Sequence, residues 1–319
     1  MRPFRFLVDT GDALDAAGVI AVARRAEAAG ADTRVFPDHV IHPFGVLPLL
    51  ATIAAATDRL RVAPFVMNND FRHPAILAQD LATVDLLSGG RLDVAIGAGW
   101  NKPEYDALGL AFDPQPVRVA RLAEAIAVLK GCFRDGPFSF AGSFYTITDH
   151  DAQPKPVQRP HPPLMVGGGG RRVLELAGRE ADIVSFSPRM LPGQGPAAPR
   201  DPRSITLAAT EEKIGWVRAA AGERFDALDL NVYPSLVAPT LTAPGDERRV
   251  AADLAATIEQ RTGITLTVDE MLEAPNVFVG SVDSLVAKLR RLRTGLGINS
   301  FMVGDIATLG PVVERLAGE

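Results

Sequence analysis

With one cysteine, Cys132, among 319 residues, the chain has no disulfide framework and no thiolate metal site. That thiol lies near the end of an apolar helical stretch and reads as a packed core group. No apolar run approaches the roughly 18 residues that suggest a membrane span. The opening MRPFRFLVD places charges where a signal peptide needs apolar residues, so a cytoplasmic protein is expected. The formal charge of −5 gives no signal of nucleic-acid or anionic-membrane binding, although a local basic pocket remains compatible with it. A G-x-S-x-G nucleophile elbow, a Walker A lysine and a Cys/His nucleophilic pair are also missing. Covalent hydrolysis and phosphoryl transfer thereby lose their usual residues.

What is present is alternation. Strand patterns at residues 4–8, 33–36, 61–67, 92–96, 163–166, 182–185, 228–233 and 300–303 are separated by helical periodicity. The helices are expected near 14–29, 46–57, from 74 onward, 117–133, 170–178, 210–221, 246–260 or 282–294, and 308–316. About eight βα units in a chain of this length predict an α/β fold, a single (β/α)8 TIM-barrel domain, with a doubly wound sheet as the alternative. Three segments exceed a minimal barrel. Residues 138–148 alternate around Ala141 and Gly142 and read as a hairpin. Residues 186–204, rich in Pro, Gly and Arg, read as a lid over the mouth or an irregular surface loop. Residues 264–280 read as an added element.

In a parallel α/β fold, ligands bind at the carboxyl ends of the strands. The residues expected there are Asp9, His39, Asn68, Asn69, Gly99, Trp100, Glu104, Gly167 to Gly170, Ser185, Ser187 and Tyr233. His39 is a candidate acid, base or hydrogen-bond partner, or else a helix cap. Glu104 is a candidate proton donor or orienting carboxylate, or else a surface group. Trp100 either stacks on a ligand ring or covers the barrel end. Gly168, Gly169 and Gly170 precede Arg171 at a helix start, a place where free N–H groups bind anions. The plain alternative is a tight turn. The spacing is not G-x-G-x-x-G. Asp38, His39 and His42 do not complete a three-ligand zinc set, so no metal is expected.

Taken together, several motifs resemble the bacterial luciferase-like superfamily and, within it, the coenzyme F420-dependent oxidoreductases. They are Pro37-Asp38-His39, the run from Phe71 to Gln79, Leu87-Ser88-Gly89-Gly90-Arg91-Leu92, Gly97-Ala98-Gly99-Trp100 with Glu104-Tyr105, and Val166 followed by four glycines. The resemblance implies a TIM barrel that holds a flavin or deazaflavin at its mouth, usually as a homodimer. It implies His39 and Glu104 beside the reactive ring, and Asn68 and Asn69 against the ring from the third strand. It also implies that Gly168, Gly169, Gly170 and Arg171 receive the cofactor phosphate. The related sugar-phosphate dehydrogenases carry a tryptophan shortly after the histidine; this chain has His42-Pro43-Phe44 instead, which counts against glucose 6-phosphate.

The resulting expectation is an F420-dependent oxidoreductase acting on a small organic molecule. His39 and Glu104 are its catalytic pair, and Asp9, Asn68, Asn69, Gly99, Trp100, Gly168, Gly169, Gly170, Arg171 and Ser187 its cofactor contacts. The alternatives are an FMN-dependent monooxygenase, a flavin- or deazaflavin-binding protein without turnover, and an aldolase-type barrel, for which no Schiff-base lysine is evident.

Overall fold

A computed structural model describes residues 2–9, 15–191 and 200–319. The first half contains β1 (Arg5–Val8), α1 (Ala16–Ala28), β2 (Thr33–Phe36), α2 (Val46–Ala56), β3 (Arg61–Pro64), β4 (Met67–Asn68), α3 (Pro74–Leu87) and β5 (Val94–Gly97). Next come α4 (Lys102–Leu108), α5 (Gln115–Phe133), β6 (Phe138–Ala141), β7 (Thr146–His150), β8 (Leu164–Gly168), α6 (Arg171–Glu180) and β9 (Ile183–Phe186). The remainder contains α7 (Leu207–Ala221), β10 (Asp229–Val232), β11 (Thr240–Leu241), α8 (Glu247–Thr262), α9 (Val268–Glu273), β12 (Val279–Gly280), α10 (Val282–Leu296), β13 (Ile298–Gly304) and α11 (Ile306–Leu316).

The main sheet is parallel, in the order β3-β2-β1-β13-β10-β9-β8-β5-β4. Its ends meet through a parallel bridge between Val62 and Leu92. There the Val62 N–H donates to Arg91 O at 2.9 Å and the Asp93 N–H to Val62 O at 3.0 Å. Strands β3 and β4 are one barrel strand, interrupted at a cis Phe65–Val66 peptide. The closed (β/α)8 reading therefore holds.

Strand residues alternate between two environments, as the pleat requires. Phe6, Val8, Val62, Val94, Val166 and Val184 face outward into the large core against the helices. Leu7, Val35, Ala63, Ala95, Met165 and Ile183 form a separate apolar cluster inside the barrel. Beneath it, at the amino ends of the strands, the interior is ionic. Arg5 meets Asp93 at 2.5 Å and Asp229 at 3.0 Å, and Arg61 reaches the same Asp93 at 2.5 Å. Burial alone disfavours the charged Arg5, but Asp93 and Asp229 outweigh it and raise its pKa.

β6 and β7 are an antiparallel hairpin, held at its turn by Glu124, which accepts from the N–H groups of Ser143, Phe144 and Tyr145. The added element comprises α9 and β12, and β12 pairs in parallel with β11. Of the two helices expected after the seventh strand, α10 packs on the barrel beside β13, whereas α8 packs with α9. The α8–α9 unit has its own apolar cluster, built on Ala251, Ala255, Ile258, Leu266 and Met271. Of the expected lid, residues 192–199 lie outside the described residues. Among the described residues no helix is long and apolar enough to cross a membrane.

Removing one partner from a buried ion network leaves the others uncompensated. Asp93→Ala is expected to lower unfolding free energy by about 3–5 kcal/mol, read from urea denaturation. A loss below about 1 kcal/mol would show that the ionic floor is dispensable.

Candidate functional site at the carboxyl end of the barrel

Three buried or half-buried carboxylates tie the strand exits together. Asp38, just past β2, accepts from Arg72 Nη1 and Nη2 at 2.6 and 3.0 Å and from the Asn68 N–H at 3.0 Å. This fork joins the second exit to the third in bidentate geometry. Asp70, past β4, pairs with Arg121 of α5 at 2.9 Å. The Tyr105 hydroxyl lies 2.9 Å from Asp70 Oδ2 and 3.0 Å from Asn68 Oδ1, and can donate to one at a time. Burial, with the Asp70 charge second, pushes the Tyr105 pKa upward, so this hydroxyl stays protonated.

The third carboxylate is Glu104, only 3% exposed. Its Oε2 lies 2.7 Å from His39 Nδ1, and its Oε1 accepts from the Val40 N–H at 3.0 Å. With Glu104 as a carboxylate, the hydrogen between them sits on Nδ1, and in the neutral ring Nε2 is then the acceptor. Among the described residues Nε2 has no hydrogen-bond partner. Trp100, 47% exposed, meets the His39 ring edge-on at 5.8 Å. The arrangement is an oriented imidazole at the mouth, able to accept or return a proton.

Glu104 is not the surface group of the alternative reading: it is buried in the first turn of α4, a seven-residue helix closed by Gly109 in the left-handed conformation. His39 does not cap the next helix, since Gly45 occupies that position in α2. Gly99, at φ +73°, must be glycine, because a Cβ there would collide with the Tyr105 hydroxyl. That close approach seats Tyr105 and brings Asn68 under the same hydroxyl. Asn69 is buried, and its Nδ2 lies 3.4 Å from the Tyr145 hydroxyl of the hairpin. Asp9 follows β1, 3.6 Å from Arg34; burial raises its pKa despite that guanidinium.

Gly168, Gly169 and Gly170 run from β8 into α6. The Ser187 N–H donates to Gly168 O at 3.0 Å, and a Cβ on Gly169 would strike the Pro188 carbonyl. The glycines are thus needed where the fifth and sixth exits touch. The first turn of α6 carries no side-chain cap and no acidic residue, so its leading N–H groups are suited to an anion. Arg171 is exposed and pairs with Glu175 at 2.7 Å, which compensates its charge locally. Its backbone, more than its side chain, fits the anion role.

The site also includes groups that sequence reasoning passed over: Tyr105 as an anchor, Arg118 and Lys213. Arg118 donates to Ala98 O at 3.0 Å and also to Gly99 O, fixing the carbonyls before Trp100. Lys213 of α7 is buried and donates to Ser187 O at 2.8 Å and Ser204 O at 2.6 Å, joining the two ends of the loop after β9. The lysine at the seventh position of a helix face carries no motif, but a lone charge in an apolar helical stripe is a usable signal.

Residues 1–198 match the family described as luciferase-like monooxygenase. The chain belongs to that family. This luciferase-like chain is 38% identical over 130 residues to an FMNH2-dependent dimethylsulfone monooxygenase of Pseudomonas putida, covering 41% of itself and 36% of that relative. It is 31% identical over 255 residues to an F420-dependent glucose-6-phosphate dehydrogenase of Nakamurella multipartita, covering 75% of itself and 69% of that relative. It thus spans little more than a third of the first relative's length. Among solved structures, the coenzyme F420-dependent tetrahydromethanopterin reductase of Methanopyrus kandleri superposes with a TM-score of 0.75 at 19% identity, covering all of this chain and 98% of that one. The EDTA monooxygenase of Chelativorans sp. BNC1 superposes with a TM-score of 0.77 at 14% identity, covering 99% and 93%. These two likenesses concern the fold.

Burial lowers the Lys213 pKa to about 8, against about 10.4 in an unfolded chain. Between those values the unfolded chain holds a proton that the folded chain has released, so stability rises with pH and is lost as pH falls through 8. Wild-type protein should gain up to about 1.4 kcal/mol per pH unit over that window relative to Lys213→Met. Parallel stability curves for the two proteins would contradict this reading.

Proposed function

We propose that the chain is an F420-dependent oxidoreductase that moves a hydride between the deazaflavin and a small organic substrate. The observation that carries this reading is the Glu104–His39 pair at 2.7 Å, with its imidazole oriented at the barrel mouth. When bound, F420 supplies or accepts the hydride; the protein supplies position, charge and protons. The residues fit such a group. The uncapped start of α6, with the Gly168, Gly169 and Gly170 backbone, would hold its phosphate, and Asn68, Asn69, Gly99 and Trp100 would border its ring.

The proton is His39's task. Reduction of a carbonyl adds a hydride to carbon and a proton to oxygen; alcohol oxidation removes both. Glu104 holds Nδ1–H, so His39 Nε2 takes the proton in one direction and returns it in the other, and Glu104 faces the imidazolium formed in between. The Val40 N–H fixes the second carboxylate oxygen and keeps Glu104 from turning away. The match that runs along 255 residues, to an F420-dependent dehydrogenase, also supports this cofactor. The 38% identity to an FMNH2-dependent monooxygenase favours a second reading, an FMN-dependent monooxygenase on the same scaffold.

Titration of purified protein with F420 and separately with FMN, followed by cofactor fluorescence, separates the two. The proposal expects micromolar or tighter F420 binding with little response to FMN. A preference for FMN, with oxygen uptake in the presence of reduced flavin, would replace it by the second reading. In the F420 enzyme, Glu104→Gln is expected to cut turnover about 100-fold while F420 affinity changes little. Unchanged turnover would remove Glu104 from the proton path.

A further inference from the structure

Arg200 stands apart from the other guanidinium groups near the mouth. Arg34, Arg72, Arg121 and Arg189 each meet a carboxylate, and Arg118 is taken up by the carbonyls of Ala98, Gly99 and Asp113. Among the described residues Arg200 has no carboxylate partner. Its Nη1 donates to the Tyr233 hydroxyl at 3.2 Å, and its Cζ lies 5.6 Å from the centre of the Trp100 ring. Trp100 is the ring that meets His39. The guanidinium therefore bridges the fourth and seventh strand exits, one aromatic ring away from the proton-handling imidazole.

Its position is built. Met190 and Arg200 form an antiparallel bridge, and the Asp201 N–H donates to Arg189 O at 2.7 Å. The Arg189 N–H donates to Ser204 Oγ at 2.8 Å, and Lys213 binds the Ser187 and Ser204 carbonyls below. Tyr233 is held in turn by edge-on contact with Phe65 at 5.3 Å. A half-buried guanidinium with one hydroxyl and one ring for company keeps most of its five donors for a ligand, and its planar fork matches carboxylate or phosphate oxygens.

We propose that Arg200 is a specificity-determining residue that receives an anionic group, carboxylate or phosphate, on the substrate and so places the substrate's reacting carbon beside His39. The proposal rests on the oxidoreductase reading for what reacts there, but the anion site itself does not need the cofactor. An anionic group on the cofactor could present the same chemistry, and the test separates these sources.

Trp100 and Trp216 are the only tryptophans, so a Trp216→Phe protein reports on Trp100 alone. Titrating it with inorganic phosphate and with acetate should give a saturable change in emission as the guanidinium leaves the indole for the anion. Adding Arg200→Met should weaken that response at least tenfold, with F420 affinity kept within threefold; Arg200→Lys should fall between. Thermal unfolding of each variant identifies any that misfold, and the lysine variant keeps the comparison readable if the methionine variant does. No saturable response, or the same affinity without the guanidinium, would overturn the proposal. A tenfold loss of F420 affinity in Arg200→Met would also overturn it, by assigning the guanidinium to the cofactor. If neither F420 nor FMN binds, the functional reading fails while the anion titration still reports on Arg200.

Discussion

The mouth of this barrel depends on buried negative charge. Glu104 and Asp38 cannot sit in low-dielectric surroundings unless each is met by donors, and the donors available come from other strand exits. Meeting that demand forces the loops into register. Glu104 draws in the exit of β2 through His39 and Val40; Asp38 draws in the exit of β4 through Arg72 and Asn68. Asp70 then ties the same exit to α5 through Arg121. The requirement that orders the backbone also fixes the imidazole tautomer, so structural and chemical roles fall on the same atoms.

Beneath the mouth, the interior changes character by level. Arg5, Arg61, Asp93 and Asp229 fill the floor with ion pairs, and an aliphatic layer separates that floor from the polar upper end. Ala63 and Ala95 lie in the layer with Met165, and Gly97 and Gly167 continue two of these strands above it. Leu7 and Val35 continue the same layer on the neighbouring strands β1 and β2.

Much of this was legible in the sequence because it is local or periodic. The βα alternation, the hairpin around Gly142 and the added element before α10 follow from period and turn chemistry. His39 and Glu104 were readable as a pair through resemblance alone, since 65 positions separate them and no spacing rule connects them. What stayed hidden is side-chain partnership across exits. Tyr105 looked like the neighbour of Glu104, yet it is the anchor for Asn68 and Asp70. Arg200 sat in an aperiodic stretch, and its meaning comes from Trp100 and Tyr233, residues far away in the chain. The choice between α8 and α10 as the barrel helix was open for a similar reason: both are amphipathic, and only packing shows that α8 belongs with α9.

That last arrangement has an evolutionary side. The cluster around Met271 and Ile258 also takes in Ile205 and Val237, so the segments after β9 and β10 share one small core of their own. Substitutions there need not disturb the packing that holds β1 to β5, because distant sites with no shared partners act nearly independently. The exits that carry His39, Asn68 and Glu104 and the outer rim can therefore drift at different rates. A scaffold partitioned in this way can exchange its rim as a cassette, acquiring new substrates while the machinery beneath stays as it was.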